Sequence, residues 1–332
     1  MNGNVTLIML LIFTLLTPSM NAQTDLSHQS EELGNVNWYR DYDAAVAKAK
    51  KEQKDILILF QEVPGCATCR NYGKNVLSNP LLVEAIENLF IPLAIFNNKK
   101  GKDLEILKKY NEPSWNNPVV RIINYNGRNV INRISGNYSM KALHQGMEKA
   151  LNSYGKSAPG YFKLLGEQIA SNGKDKEKYF KMYCFWSGEK QLAKIDGVLE
   201  TESGFMNHAE VVKIKYNPEV VDSKTIEKYA AEYRIQPVIF DTSYRTADND
   251  VHYYLRHTDY KYIPLSPLQQ TKINSALGSG KSGKEYLSPK QTKWLMSSMA
   301  SKSKRQNLLN MDFKKAWNLA ENSNLTEDRS SK

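Results

Sequence analysis

The sequence predicts an α/β domain followed by an α+β domain, and three features of the 332-residue chain carry that expectation. First, the unbroken apolar run Ile56-Leu57-Ile58-Leu59-Phe60 is followed by a Pro-Gly turn and by Cys66-Ala67-Thr68-Cys69 at the head of a helical pattern. Second, the segment 152–175 turns polar and rich in Gly, Ser and Lys, as a boundary would. Third, a strand pattern over 179–183 delivers Cys184-Phe185-Trp186, with another strand pattern over 211–216. With 41% hydrophobic residues and one short apolar run near the start, two soluble cores are expected.

In order, residues 5–16 are a 12-residue, largely apolar run, too short to span a bilayer, followed by Met20-Asn21-Ala22 before Gln23. This pattern predicts a signal peptide over 1–22 and an exported protein, periplasmic or secreted, with no stable membrane insertion after cleavage. Residues 23–34 are polar and expected to be mobile. The Ala and Lys spacing over 42–53 predicts a helix, and 56–60 a strand buried on both faces. Helices are expected from Cys66 past Tyr72, over 81–89 and over 104–110, with a strand at 90–96. After Asn116-Asn117-Pro118, a strand over 119–123, a turn at 124–128 and a strand through Ile134 precede a helix over 138–151. The first domain is bounded at 36–153, a linker at 154–175 containing a helix near 161–170, the second domain at 176–300, and a polar tail at 301–332.

In the second domain, helices are expected at 189–196 and 223–234, and the stretch 307–320 has helical apolar spacing within an otherwise polar tail. The net charge of +10 reads as a solvated basic surface. The densest basic stretch, Lys302-Ser303-Lys304-Arg305, is too short for a nucleic-acid footprint, so no nucleic-acid partner is expected.

Three cysteines cannot make a fully paired framework in an exported chain. A cysteine at a helix N-terminus meets unpaired backbone N–H groups and the positive end of the helix dipole, which favours its thiolate. Strand, Pro-Gly-Cys-x-x-Cys turn, helix and a later Asn117-Pro118 before a strand together resemble the thioredoxin fold. The resemblance implies that Cys66 is the attacking thiol, Cys69 the resolving one, and Pro118 the loop proline beside them. A structural disulfide or half a metal site is the other reading, although no second Cys pair or His cluster completes a zinc site. Two departures stand out: Gly65-Cys66-Ala67-Thr68-Cys69 replaces the usual WCGPC, and Phe60 occupies the place of a buried acid, leaving Glu62 as the nearest substitute.

The stretch Tyr183-Cys184-Phe185-Trp186-Ser187-Gly188-Glu189, then Gly197-Val198, Gly204-Phe205 and His208-Ala209-Glu210-Val211-Val212, resembles the A-type peptide methionine sulfoxide reductases. That resemblance implies an α+β fold and a peptide-methionine (S)-S-oxide reductase. Cys184 would attack sulfur and Glu210, enclosed beside two aromatics and hence protonated, would donate a proton. Phe185 and Trp186 would enclose the substrate methyl, while Asp250 and Tyr254 would echo the family's later substrate-binding block. Glu189 reads as structural, His208 as no ligand, and Phe185 with Trp186 alone could equally be ordinary core. Tyr183 and Ser187 replace family glycines, and the loop that supplies a tyrosine to the sulfoxide oxygen is missing between Gly204 and Asn207. Asp241-Thr242-Ser243-Tyr244-Arg245 is a second echo of the later block.

The tail contains no cysteine, so re-reduction of Cys184 falls to Cys66 and Cys69, whose tether gives an effective concentration of roughly millimolar. The expected partners are methionine sulfoxide in proteins or peptides, and an external thiol or membrane electron donor for the thiol pair. No metal and no cofactor is expected. The alternative function is an exported thiol-disulfide oxidoreductase with a degenerate, non-catalytic second domain.

Overall fold

The computed structural model describes residues 23–171, 173–300 and 306–330. The expected signal peptide lies outside the described residues. Among the described residues, no helix is long and apolar enough to cross a membrane.

The first half runs α1 (Tyr42–Glu52), β1 (Asp55–Gln61), α2 (Ala67–Asn75), α3 (Pro80–Leu89), β2 (Phe90–Phe96), α4 (Lys102–Lys109), β3 (Val119–Ile123), β4 (Ile134–Ser135) and α5 (Met140–Asn152). Its sheet has the order β2-β1-β3-β4, with β1 parallel to β2 and antiparallel to β3. Ile56, Ile58 and Phe60 of β1 face the core shared with α1 and α4, whereas Leu57 and Leu59 face α3 and α5. The central strand is therefore apolar at every position, because both its faces are covered. Asp41, Asn79 and Ser139 start α1, α3 and α5 by accepting backbone N–H bonds from Ala44, Leu82 and Ala142.

The expected strand ending at Ile134 is the two-residue β4, preceded by a single bridge between Ile123 and Asn129. Exposed Arg128, Asn129 and Arg133 carry too few apolar side chains there to hold a longer strand. The segment expected to be mobile is packed at its end: Glu32 and Leu33 are buried, and the 3-10 turn Glu31–Leu33 lies on α2. Contact is so close that a Cβ on Gly73 would meet the Glu31 carbonyl oxygen at 1.9 Å. Only glycine admits that approach.

The second half runs α6 (Gly160–Ser171), β5 (Lys176–Lys181), α7 (Phe185–Leu192), β6 (Val198–Met206), β7 (Ala209–Tyr216), α8 (Ser223–Glu232), β8 (Gln236–Val238), β9 (Arg245–Thr246), α9 (Tyr253–Arg256), α10 (Pro267–Gly278), α11 (Pro289–Ala300) and α12 (Phe313–Ser330). Its sheet, β8-β5-β7-β6-β9, is antiparallel throughout. β6 and β7 are joined by the tight pair Asn207-His208, both at positive φ, so a two-residue turn stands where a longer loop would be.

The expected linker and tail need correction. Within 154–175, α6 buries Tyr161, Phe162, Leu164 and Leu165 against α3, α5 and α10. Within 301–332, Leu308, Leu309, Ala316, Trp317 and Ala320 are buried. Trp317 meets Trp294 of α11 edge to face at 4.8 Å, and Lys290 of α11 reaches Glu321 and Glu84. These helices share one apolar core with Leu57, Leu82 and Met147 of the first half. Polar composition concealed them because each buries a single stripe while its other faces meet solvent.

Replacing Trp317, which is 3% exposed, by Ala should cost about 3–5 kcal/mol of stability. Urea unfolding should show one cooperative transition shifted to lower denaturant; an unchanged midpoint would mean that α12 does not belong to the core.

Candidate active site

Cys66 is the N-terminal cap residue of α2, and Cys69 lies one turn further, on the buried side. Both are free thiols, with their Sγ atoms 3.6 Å apart. Their environments differ. Backbone N–H bonding, from Cys69 first, lowers the pKa of exposed Cys66 below the usual thiol value, whereas burial pushes Cys69 up to about 11. The asymmetry gives one reactive thiolate and one protonated reserve.

Asn117, in cis peptide linkage to Pro118, places its Oδ1 2.7 Å from Cys69 Sγ. Asn117 is thus a thiol partner that sequence reasoning used only as a marker for the proline. Phe60 is fully buried against Tyr110, so the position of the missing acid is simply apolar. Polar support comes from Gln61, whose Nε2 donates to the carbonyls of Glu32 (2.9 Å) and Cys69 (3.1 Å), and from Glu32, whose Oε1 accepts the Gly65 N–H at 2.7 Å. Burial opposes ionisation of Glu32, yet bonds from Ser30 and Gly65 hold its carboxyl below the ordinary range. A carboxylate oxygen of Glu62 lies within 4.8 Å of both sulfurs, the one such group of three ligand-type residues among the described residues.

Cys184 is the N-terminal cap residue of α7, half-buried between exposed Tyr183 and buried Phe185. Glu210 on β7 reaches across and accepts the Phe185 N–H at Oε2, 2.8 Å. Trp186 donates its indole N–H to Asp250 Oδ1 at 3.2 Å and stacks on Tyr253 at 3.9 Å. Phe185 meets Phe205 edge to face at 5.4 Å. Tyr254 packs over Gly278, where a Cβ would lie 2.6 Å from its ring, and burial followed by the neighbouring Cys184 charge raises its hydroxyl pKa. Cys184, Phe185, Trp186, Glu210, Asp250 and Tyr254 therefore converge, although they come from α7, β7 and the segment entering α9. The other echo diverges: Tyr244 donates to Glu202 at 2.6 Å, and Arg245 lies over Phe205.

The expected enclosure of Glu210 is corrected. Glu210 is half-buried, and the enclosed acid is Glu189, which is fully buried. Its Oε2 accepts the His252 N–H at 3.0 Å, and burial pushes its pKa to about 8. Sequence could locate both acids but not their depths, since Glu189 faces inward only after α7 packs on β6. His208 occupies the exposed turn before β7, and Tyr253 is a site neighbour that the sequence reading passed over. Among the described residues, no hydrogen bond, ion pair or ring contact links α2 to α7: α2 packs on the Glu31–Leu33 turn, and α7 on α10, β6 and β7.

A family model described as thioredoxin-like matches residues 37–124. That part of the chain is a thioredoxin-like domain. Two curated relatives also match, both peptide methionine sulfoxide reductase MsrA of Methanococcus maripaludis. The strain C5 protein is 42% identical and the strain C6 protein 41% identical over 59 residues. Each match covers 13% of this chain, which spans 38% of the length of those relatives. A solved chain titled DsbH oxidoreductase is 16% identical, with a TM-score of 0.31, covering 39% of this chain and 94% of that one.

Two pH-dependent outcomes follow. Alkylation of the reduced thiol pair should modify Cys66 first, with an inflection below the usual thiol value, while Cys69 reacts only as pH approaches about 11; peptide mapping after timed labelling checks this, and equal labelling at neutral pH would contradict it. Glu189 keeps its proton in the fold up to about 8 but ionises near its ordinary 4.5 once unfolded. Unfolding thus releases a proton between those values. This contribution to stability is full below 4.5 and declines through the window, by at most about 1.4 kcal/mol per pH unit. Glu189→Gln should flatten that decline in denaturant titrations, and an unchanged profile would contradict the enclosure.

Proposed function

We propose that this chain is a thiol-dependent oxidoreductase that reduces peptide-methionine (S)-S-oxide at Cys184, with Cys66 and Cys69 returning that cysteine to the thiol. The observation that carries the reading is the junction at the start of α7. There Cys184 heads a helix, Glu210 is fixed to the next backbone N–H, and Trp186 is held by Asp250 and Tyr253. Nucleophile, proton donor and apolar wall are thus neighbours in space, as sulfoxide reduction needs.

The Cys184 sulfur attacks the sulfoxide sulfur while Glu210, fixed at the neighbouring Phe185 N–H, relays a proton from solvent to the departing oxygen. Methionine leaves, and Cys184 becomes a sulfenic acid. The Cys66 thiolate then attacks the Cys184 sulfur, releasing water and forming a mixed disulfide. Cys69 displaces Cys184, leaving a Cys66–Cys69 disulfide for an external thiol or a membrane electron donor to reduce. Exposure and lowered pKa suit Cys66 to the first attack, and burial suits Cys69 to the second. α6, between the two halves, is packed rather than free to swing. Protein-bound or peptide methionine sulfoxide is the proposed substrate, and export follows the apolar run at 5–16.

A second reading rests on the Asn207-His208 turn, which replaces the loop bearing the family's tyrosine, and on Tyr253 covering one face of Trp186. In that reading, Cys66 and Cys69 form an exported thiol-disulfide oxidoreductase whose second half is not catalytic.

The deciding experiment is a single turnover of fully reduced protein with a methionine-(S)-sulfoxide peptide and no external reductant. About one methionine per chain, with free thiols falling from the initial three to one, is expected at a rate independent of protein concentration. Cys184→Ser should form no methionine, and Glu210→Gln should slow its formation by roughly 10²–10⁴-fold. A rate proportional to protein concentration would move the thiol transfer to a pair of molecules. No methionine, with Cys66 and Cys69 still reducing test disulfides, would favour the second reading.

A further inference from the structure

We propose that the reduced Cys66–Cys69 pair, together with the Glu62 carboxylate, forms a three-ligand site for a zinc-class divalent cation. The two sulfurs are 3.6 Å apart. A tetrahedral site with Zn–S bonds of about 2.3 Å has a sulfur–sulfur edge of roughly 3.8 Å, so the pair is already near metal-binding separation. A Glu62 oxygen stands within 4.8 Å of both sulfurs, and its side chain makes no hydrogen bond or ion pair with another described residue. A small turn of that side chain completes a face of three anionic ligands.

Two further features favour a cation. The Glu32 carboxylate lies on the turn packed against α2 and bonds the Gly65 N–H immediately before Cys66, while Glu31 on the same turn is paired with Arg70 of α2. Cys66 is exposed, which gives the ion an entry path. Two thiolates and one carboxylate are a ligand set suited to zinc rather than to magnesium or calcium, which take oxygen ligands. Three protein ligands leave the fourth position for water, so the site is open and exchangeable.

Binding replaces the thiol protons by the cation, with no change of oxidation state and no need for an oxidant. A loaded pair cannot attack a disulfide or a sulfenic acid, and an oxidised pair cannot hold the ion. Metal occupancy and thiol transfer are therefore mutually exclusive states of the same two sulfurs. This inference stands whether or not Cys184 reduces methionine sulfoxide.

The test is an anaerobic titration of the fully reduced full chain with Zn²⁺ against a chromophoric chelator, together with a count of thiols open to a chromogenic disulfide reagent. One Zn²⁺ per chain is expected, with reactive thiols falling from three to one. Cys66→Ser and Cys69→Ser should each lose the ion, and Cys184→Ser should keep it. Glu62→Gln should weaken binding by roughly tenfold or more, since even an outer partner of a metal ligand is worth that much. Co²⁺ in place of Zn²⁺ should give thiolate charge-transfer absorption in the unaltered chain, a readout that does not depend on any variant folding. The proposal is overturned if the chain takes no Zn²⁺ from the chelator, if Glu62→Gln binds as tightly as the unaltered chain, or if Cys184→Ser abolishes binding.

Discussion

The apolar layer in which Leu57, Leu82 and Met147 meet Phe162, Leu287, Trp294 and Trp317 joins the two halves into one packed body. Phe162 is fully buried and stacks on His144 at 4.1 Å, while the His144 ring bonds the Phe162 carbonyl through Nε2 at 2.8 Å. Burial holds the His144 pKa below its ordinary value, so the ring enters the core uncharged. A charged imidazole at this depth would carry a desolvation cost that its single carbonyl partner could not offset. Through this layer α3, α6, α11 and α12 orient the second sheet against the first, and the thiols inherit their separation from that packing.

Each thiol site repeats one device, a cysteine capping a helix N-terminus, and is set apart by what surrounds it. At α2, the helix start is pinned by Gln61, Glu32 and Asn117, so one sulfur faces solvent and its partner faces the interior. Backbone donors favour the Cys66 thiolate, whereas burial keeps Cys69 protonated. At α7, the neighbours of Cys184 are aromatic, and the polar contact is made by Glu210 at the adjacent N–H. Both cysteines stand at a helix terminus, while the surrounding side chains decide whether the sulfur meets another sulfur or an apolar wall.

Two acids of the second half divide their tasks by depth. Glu189 is sealed beneath α7 with His252, Thr201 and Ser203, where burial keeps it protonated and burial likewise lowers the His252 pKa to about 4. Neither side chain is charged at neutral pH, which is how this polar cluster is tolerated inside the sheet–helix interface. Glu210 stands nearer to solvent, beside the thiol it is proposed to serve.

Sequence by itself determined the central strand around 56–60, the thiol pair at the head of α2, the proline loop at 118, and the strand–cysteine–helix order around Cys184. These are local facts: unbroken apolar runs, turn residues and helix starts are fixed by neighbours in the chain. Only tertiary structure decided that α6 and α12 are core rather than linker and tail, because one buried stripe in a polar helix has meaning only once a partner face exists. The same holds for Asn117 against Cys69, Asp250 against Trp186, and the exchange of depth between Glu189 and Glu210. Each of these joins residues far apart in sequence, and burial of a carboxyl is a property of everything packed around it rather than of the residue or its spacing.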